Sequence, residues 1–454
     1  MKFKSNLIYI VTILILIFLL IFGYLLNKKN SISKKNEISN ITQQLKIRNK
    51  QISKIQKNLI RNGNNLNNFI NKKEIHFTQI LKNKNISKFE NYKISKYQTN
   101  DILFNANIKA VGSAFIDFFN NDKELILATY DGIFAFAYIK NLTKFYKIDS
   151  NISKLIKFDE FYLHDHYGIK DVLVDKKDFY ISFIGKKQKD CYDLKIFSAK
   201  LNYDFLNFKL FYETINCVNK NNKHEYYAHQ GAGGRMIKID DAILFSTGDF
   251  RNRPLAQKLE NQYGKILKID IDTKIGEIVS YGHRNPQGLH YSKKYDFIIS
   301  TEHGPKGGDE ININHKPFLK IKNFGWPISS YGEHYYKNYS KKKLKEAPLN
   351  KSHKKFGFVE PLKYFVPSIG ISEIISLSED DDKFLVGAMG NEIIEQDLGL
   401  HYIELNDKKD KIKEHKYFPL NERVRDMVIS KNKNKIILFL ETTSSLAVIR
   451  KTTN

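Results

Sequence analysis

One unit recurs six times beyond residue 108, and it constrains the fold more than any other feature of the 454-residue chain. Each copy is a short apolar strand, a polar turn and a second apolar strand ending in small or charged residues. The copies are AFIDFFNNDKELILAT (114–129), DVLVDKKDFYISF (171–183), GRMIKIDDAILFSTGD (234–249), QGLHYSKKYDFIISTE (287–302), SEIISLSEDDDKFLVGA (372–388) and DMVISKNKNKIILFLET (426–442). β-Branched and aromatic runs around Asp, Asn, Lys or Ser turns are hairpin signals. No long amphipathic helix separates them, which excludes a βαβ architecture. Successive copies leave room for a second hairpin between them. Such radial repetition predicts an all-β protein, a six-bladed β-propeller of four-stranded blades over residues 106–454. A β-sandwich with a second domain is the alternative.

The segment ahead of the repeats reads differently. Residues 7–26 (LIYIVTILILIFLLIFGYLL) hold 20 positions without a charge, enough to cross a hydrocarbon core of about 30 Å as a helix. The run ends in Tyr24, Leu25 and Leu26 and then lysines, with no small-residue cleavage site, so residues 1–29 are expected to be an uncleaved transmembrane anchor. Lys28, Lys29, Lys34 and Lys35 outnumber Lys2 and Lys4, an arrangement that would keep the C-terminal side cytoplasmic if long domains obeyed the positive-inside rule. Beyond the anchor, Ile38, Ile41, Leu45, Ile52, Ile55, Leu59, Leu66 and Phe69 follow a 3-4 spacing with Arg48 and Asn62 on the seam. That spacing predicts a stalk over 30–105, partly helical, through which chains could self-associate as a weak coiled coil. A Lys/Asn-rich tether is the alternative, since Gly63 interrupts any long helix.

The formal net charge of +25 invites a nucleic-acid partner, but its distribution argues against one. Residues 1–98 carry 19 Lys or Arg against 3 Glu. Further on the lysines are scattered, and the aromatics sit in apolar strand patterns rather than basic-aromatic motifs. Cys191 and Cys217 are too few for a disulfide scaffold or a zinc site, and whether they pair is open.

In a propeller the innermost strands line the central channel, so residues near the start of each copy share one mouth. Those positions hold His229, Arg284, Asn285, Arg423 and Arg425, with Asp249 at the end of the third hairpin. The repeat thus predicts a cationic, His-containing pocket. A His whose tautomer is fixed by a carboxylate suits a general base. Guanidinium forks suit an anionic ligand or a developing oxyanion. EHGPKGGDE (302–310) adds a Gly/Pro turn with carbonyl and carboxylate oxygens suited to calcium.

The segments AHQGAGGRM (228–236), FSTGDF (245–250), NQYGKILKID (261–270), YGHRNPQGL (281–289), EHGPKGGDEIN (302–312), NFGWP (323–327) and ERVRDMV (422–428) resemble the glucose/sorbosone dehydrogenase family. These are sugar dehydrogenases that use pyrroloquinoline quinone on a six-bladed propeller. The resemblance covers residues 108–450 and implies a small-molecule sugar substrate, pyrroloquinoline quinone and calcium. On it, His229 looks like the base that takes the sugar's anomeric hydroxyl proton, and Asp249 is similar to its orienting acid. Arg284 and Asn285 resemble the pair near the reactive quinone carbonyl, and Gly304 and Pro305 the turn whose carbonyls hold calcium. Arg423 and Arg425 resemble the C-terminal pair facing cofactor carboxylates. Together with the anchor, this implies a membrane-bound dehydrogenase of aldoses or related alcohols with a periplasmic propeller.

Two departures stand out. Family members usually carry a Lys in a GSLK-like strand end that contacts the quinone, whereas VGAMGNEI (386–393) places Met389 there. AHQGAGGRM also has a longer His-to-Gly-Arg spacing. These favour an alternative in which a catalytically silent propeller binds a carbohydrate, an envelope polymer or a protein partner. A propeller hydrolase would need calcium held by side-chain carboxylates deep in the channel, and the sequence shows no such cluster at the mouth.

Overall fold

The described residues form six sheets, antiparallel apart from two short outer parallel pairs, each containing one of the recurring hairpins. The computed structural model describes residues 73–86, 92–99, 113–130, 132–156, 168–220, 231–316, 320–336, 338–390 and 397–452. The innermost strands are Ala114–Phe119, Ile169–Asp175, Gly233–Ile239, Pro286–Ser292, Ile371–Ser376 and Val424–Ile429. Each packs beside the innermost strand of the next sheet, and the last returns to the first, so the ring closes. The expected six-bladed propeller is the fold.

Burial follows from this geometry. The second strand of a blade is covered on both faces by neighbouring blades, so it reads as a continuous apolar run rather than an alternation. Glu124–Thr129 (ELILAT), Ala242–Thr247 (AILFST) and Phe297–Glu302 (FIISTE) are buried at every position. The core is therefore divided into wedges between blades. Phe134 of the first blade meets Phe179 of the second edge-on with centroids 5.8 Å apart.

The last blade is built from both ends of the propeller. Ser445–Lys451 pairs with Tyr92–Gln98, which in turn pairs with Thr78–Asn85. Glu74–His76 similarly adds to the first blade through Lys144–Ser150. This corrects the stalk expected over 30–105, because its last part is propeller strand. Lys/Asn-rich composition concealed the strands; only Ile94 and Ser95 of YKISKYQ are buried. Residues 1–72, with the expected anchor and the 3-4 seam, lie outside the described residues. Among the described residues no helix is long and apolar enough to cross a membrane.

Cys191 and Cys217 form a disulfide. It fastens the start of the strand Cys191–Lys200 to the segment entering Val218–Asn219, which pairs with that same strand.

Candidate active site

Charged residues on the innermost strands repeat in register, and the ring turns that repetition into a cluster. Asp171, Arg235, Glu373 and Asp426 are each the third residue of their strand, in blades two, three, five and six. All are buried. Arg235 Nη1 lies 2.7 Å from Asp171, 2.6 Å from Glu373 and 2.7 Å from Asp426. Burial opposes the charge on Arg235, but the three carboxylates outweigh it and hold the guanidinium protonated. Burial pushes Asp171 up to about 7, against the pull of Arg235 and with help from Asp426. Glu373 is raised for the same reasons.

The acids also join blades through the backbone. Asp171 accepts from Met236 N at 2.6 Å, Asp426 from Ile116 N at 2.8 Å and Asp117 from Val174 N at 2.7 Å. A carboxylate accepting an N–H of the next blade's strand closes the ring where strands cannot pair. Sequence reasoning missed this cluster. Its signal was a lone charge at a fixed position within apolar strands.

A cavity of about 380 Å³ lies where the innermost strands begin. Arg284, Asn285, Gly304, Pro305, Arg423 and Arg425 all line it, although 141 residues separate the first of them from the last. Phe115 lines it too, with its ring centroid 5.7 Å from the Arg235 guanidinium carbon.

Each arginine is held by neighbouring side chains and carbonyls. Arg423 Nε and Arg425 Nη2 share the Glu441 carboxylate at 2.9 and 2.6 Å. Glu441 is fully buried; burial pushes its carboxyl up, but the two guanidiniums outweigh this and leave it below the ordinary range. Arg423 Nη1 also donates to the carbonyls of Met389 and Gly390. Arg284 donates to His303 O at 2.9 Å and to the Tyr335 hydroxyl at 3.2 Å, with its guanidinium over the Trp326 ring. Behind it, Glu302 accepts from Arg284 N and pairs with His283 at 2.8 Å, fixing the backbone that aims the side chain. Asn285 Oδ1 accepts from Gly233 N and from Gln287 Nε2.

The turn carrying Gly304 and Pro305 folds back tightly on itself. A Cβ on Gly304 would lie 2.1 Å from Gly308 O, so only glycine lets the loop fold back on itself. Asp309 accepts from Gly304 N, Ser368 Oγ and Ile371 N. Burial pushes the Asp309 carboxyl up, but His303 and those N–H groups hold it below the usual range. Among the described residues no donor engages the carbonyls of Gly304 or Pro305, and no group of three or more His, Cys, Asp or Glu could hold a metal. The hard-oxygen groups at this wall are two carbonyls and the Asp309 carboxylate, which fit calcium in kind.

Asp249 is buried directly beneath Gly231, another lining residue, whose added Cβ would stand 3.5 Å from its Oδ1. Its oxygens accept from Arg251 N and Trp326 Nε1, each at 2.7 Å. Burial pushes its carboxyl up to about 6, against the pull of Arg284. His229 lies outside the described residues. Met389 lines the cavity, as do Lys170, Arg251 and Tyr335, which sequence reasoning did not single out.

The class defined so far is a six-bladed propeller whose axial cavity is built from clustered cations over a glycine turn. Residues 141–449 match the glucose/sorbosone dehydrogenase family, and the chain belongs to that family. It is similar to the aldose sugar dehydrogenase of Escherichia coli strain K12, at 33% identity over 176 residues, 35% of this chain and 44% of that protein. It is also similar to quinoprotein glucose dehydrogenase B of Acinetobacter calcoaceticus, at 32% identity over 133 residues, 25% of this chain and 26% of that one. The chain spans half or less of the length of the curated relatives it matches. The solved soluble aldose sugar dehydrogenase from Escherichia coli, in its apo form, shares the fold with a TM-score of 0.59 at 19% identity. That likeness covers 76% of this chain and 97% of that structure.

Proposed function

We propose that the protein oxidises an aldose or related alcohol with pyrroloquinoline quinone as its cofactor. The observation that carries this reading is the convergence of Arg284, Arg423 and Arg425 with the Gly304–Pro305 turn on one cavity. Guanidinium forks match the carboxylates of that quinone, and the cavity's cationic lining fits a polyanion. When bound, the quinone supplies the two-electron acceptor that no side chain can provide. The protein's own groups do the rest. Arg423 and Arg425, preset by Glu441, hold carboxylates, while Arg284, fixed by Glu302, His303 and Tyr335, faces developing negative charge. His229 takes the proton of the sugar hydroxyl, and Asp249 orients it. The carbonyls of Gly304 and Pro305, which no donor among the described residues engages, would hold calcium with Asp309 beside the cofactor.

The same reading places the propeller outside the cytoplasm on an N-terminal anchor. The uncharged run of residues 7–26 and the Cys191–Cys217 disulfide support it, since disulfides persist in oxidising compartments. Met389 favours a second reading, a propeller that binds a carbohydrate or other partner without oxidising it, because a quinone contact is missing there.

Reconstituting purified protein with the quinone and calcium, then following dye reduction with a panel of aldoses, decides between them. Oxidation exceeding that of His229→Ala by about 10²–10⁴-fold is expected from loss of a general base. Equal rates for the two proteins would sink the dehydrogenase reading.

A further inference from the structure

The geometry points to Lys170 as a cofactor-contacting cation: its ammonium meets an anionic group of the bound quinone and fills the place that Met389 leaves without charge. This rests on the quinone reading above.

Lys170 is the second residue of the innermost strand of blade two, and both it and its neighbour Ile169 line the axial cavity. Its side chain has a built path. On the adjoining innermost strand, a Cβ added to Gly234 would lie 2.4 Å from Lys170 Cβ and 3.1 Å from its Cγ. Gly234 also sits at φ +110°, where a side chain would be strained. The missing side chain of blade three is thus the slot through which the lysine stem of blade two passes.

The ammonium at the end of that stem is uncompensated. Among the described residues no carboxylate or carbonyl pairs with it; the nearest aromatic face is the Tyr130 ring, 5.6 Å away. Its charged neighbour is Arg425, of like sign. The other cations of the axis are satisfied differently: Arg423 and Arg425 by Glu441, Arg235 by three acids, Arg284 by His303 O and Tyr335. Burial and Arg425 together pull the Lys170 ammonium down to about 7. A half-buried cation with a like charge beside it and no acid is costly unless an anion arrives to pair with it. The cavity it faces is where the proposed polyanion sits, and Met389 lines that same cavity, so a cation absent from blade five is supplied from blade two.

The test is equilibrium titration of the purified apo protein with pyrroloquinoline quinone, read by calorimetry, with melting temperature as the control for folding. Lys170→Met should weaken binding by about 10–100-fold, the loss of one charge-assisted contact. Lys170→Arg should stay within about threefold of wild type, and Met389→Lys added to Lys170→Met should recover at least about tenfold. Binding by Lys170→Met within about twofold of wild type would overturn the assignment and leave the quinone reading standing. No binding by wild type would overturn both. A readout on the unaltered chain guards against misfolded variants: the quinone should shield Lys170 from reductive methylation, followed by peptide mass spectrometry. Equal labelling with and without it would also overturn the proposal.

Discussion

Arg235 donates to Asp426 at 2.7 Å across 191 residues of sequence, tying the third blade to the sixth at the axis. The same nitrogen reaches Asp171 and Glu373, so one guanidinium connects four of the six innermost strands. Outside the closing blade, pairing between blades is limited to short outer segments, Phe205–Leu206 on the first blade and Lys322–Asn323 on the third. Directional contacts at the axis are therefore what set blade register at the site.

Removing the guanidinium should be severe. Arg235→Met leaves Asp171, Glu373 and Asp426 facing one another in a buried space, and breaking a buried ion cluster from one side costs about 3–5 kcal/mol. Urea unfolding at neutral pH measures it. A loss below about 1 kcal/mol would show that the cluster contributes nothing to closure.

The architecture was legible because each blade repeats a hairpin whose second strand is apolar throughout. FIISTE and AILFST announce sandwiched strands as clearly as any alternation. Arg284, Asn285, Arg423 and Arg425 were legible for a related reason: they stand at strand starts, and closure carries strand starts to one mouth. The strands of 74–98 were not legible, because edge positions tolerate Lys and Asn, and burial is confined to a few residues such as Ile75 and Ile94. Lys170 was hidden too. A single lysine ahead of an apolar strand looks like a solvated end until Gly234 of the next blade is seen to clear its path. The Cys191–Cys217 pairing required a turn-back of the segment at 214–219 that no local pattern encodes.

Glu441 carries the second prediction. Glu441→Ala leaves the buried Arg423 and half-buried Arg425 side by side without their shared carboxylate, and should cost about 3–5 kcal/mol. The sign with pH follows from its lowered carboxyl. Stability contributed by a depressed carboxylate is present above its unfolded value and lost as pH falls through the folded one. Wild type should therefore lose its advantage over Glu441→Gln in acid, below about pH 4. Paired thermal melts across that range check it; a constant difference would refute the assignment.

The disulfide carries the third. Cys191→Ser with Cys217→Ser opens a loop whose ends are 26 residues apart, and closure of such a loop is worth about 2–4 kcal/mol. The double variant should unfold at lower denaturant without change in the quinone titration, because neither cysteine lines the cavity. Reductant should lower the wild-type midpoint and leave the variant's unmoved.

Asp249 couples the site to pH in the opposite direction. Its carboxyl is raised by burial to about 6, so the folded protein holds a proton there that the unfolded chain releases. A group of that kind contributes stability that is full below the unfolded value, near pH 4, and is lost as pH rises through the folded one. Asp249→Asn cannot titrate, and its amide disturbs one of the two donors, Arg251 N or Trp326 Nε1, by the same amount at every pH. The stability difference between wild type and variant should then shift by on the order of 2–3 kcal/mol in the variant's favour from pH 4 to pH 7, and hold steady above that. Denaturant melts at a series of pH values measure the shift. A flat difference would mean that Asp249 is ionised in the fold throughout, held so by Arg284. An ionised Asp249 would already be the charged partner that an orienting acid must be, whereas a protonated one becomes so only above about pH 6. If Asp249 orients the base, sugar oxidation should rise across the same window in which the carboxyl loses its proton.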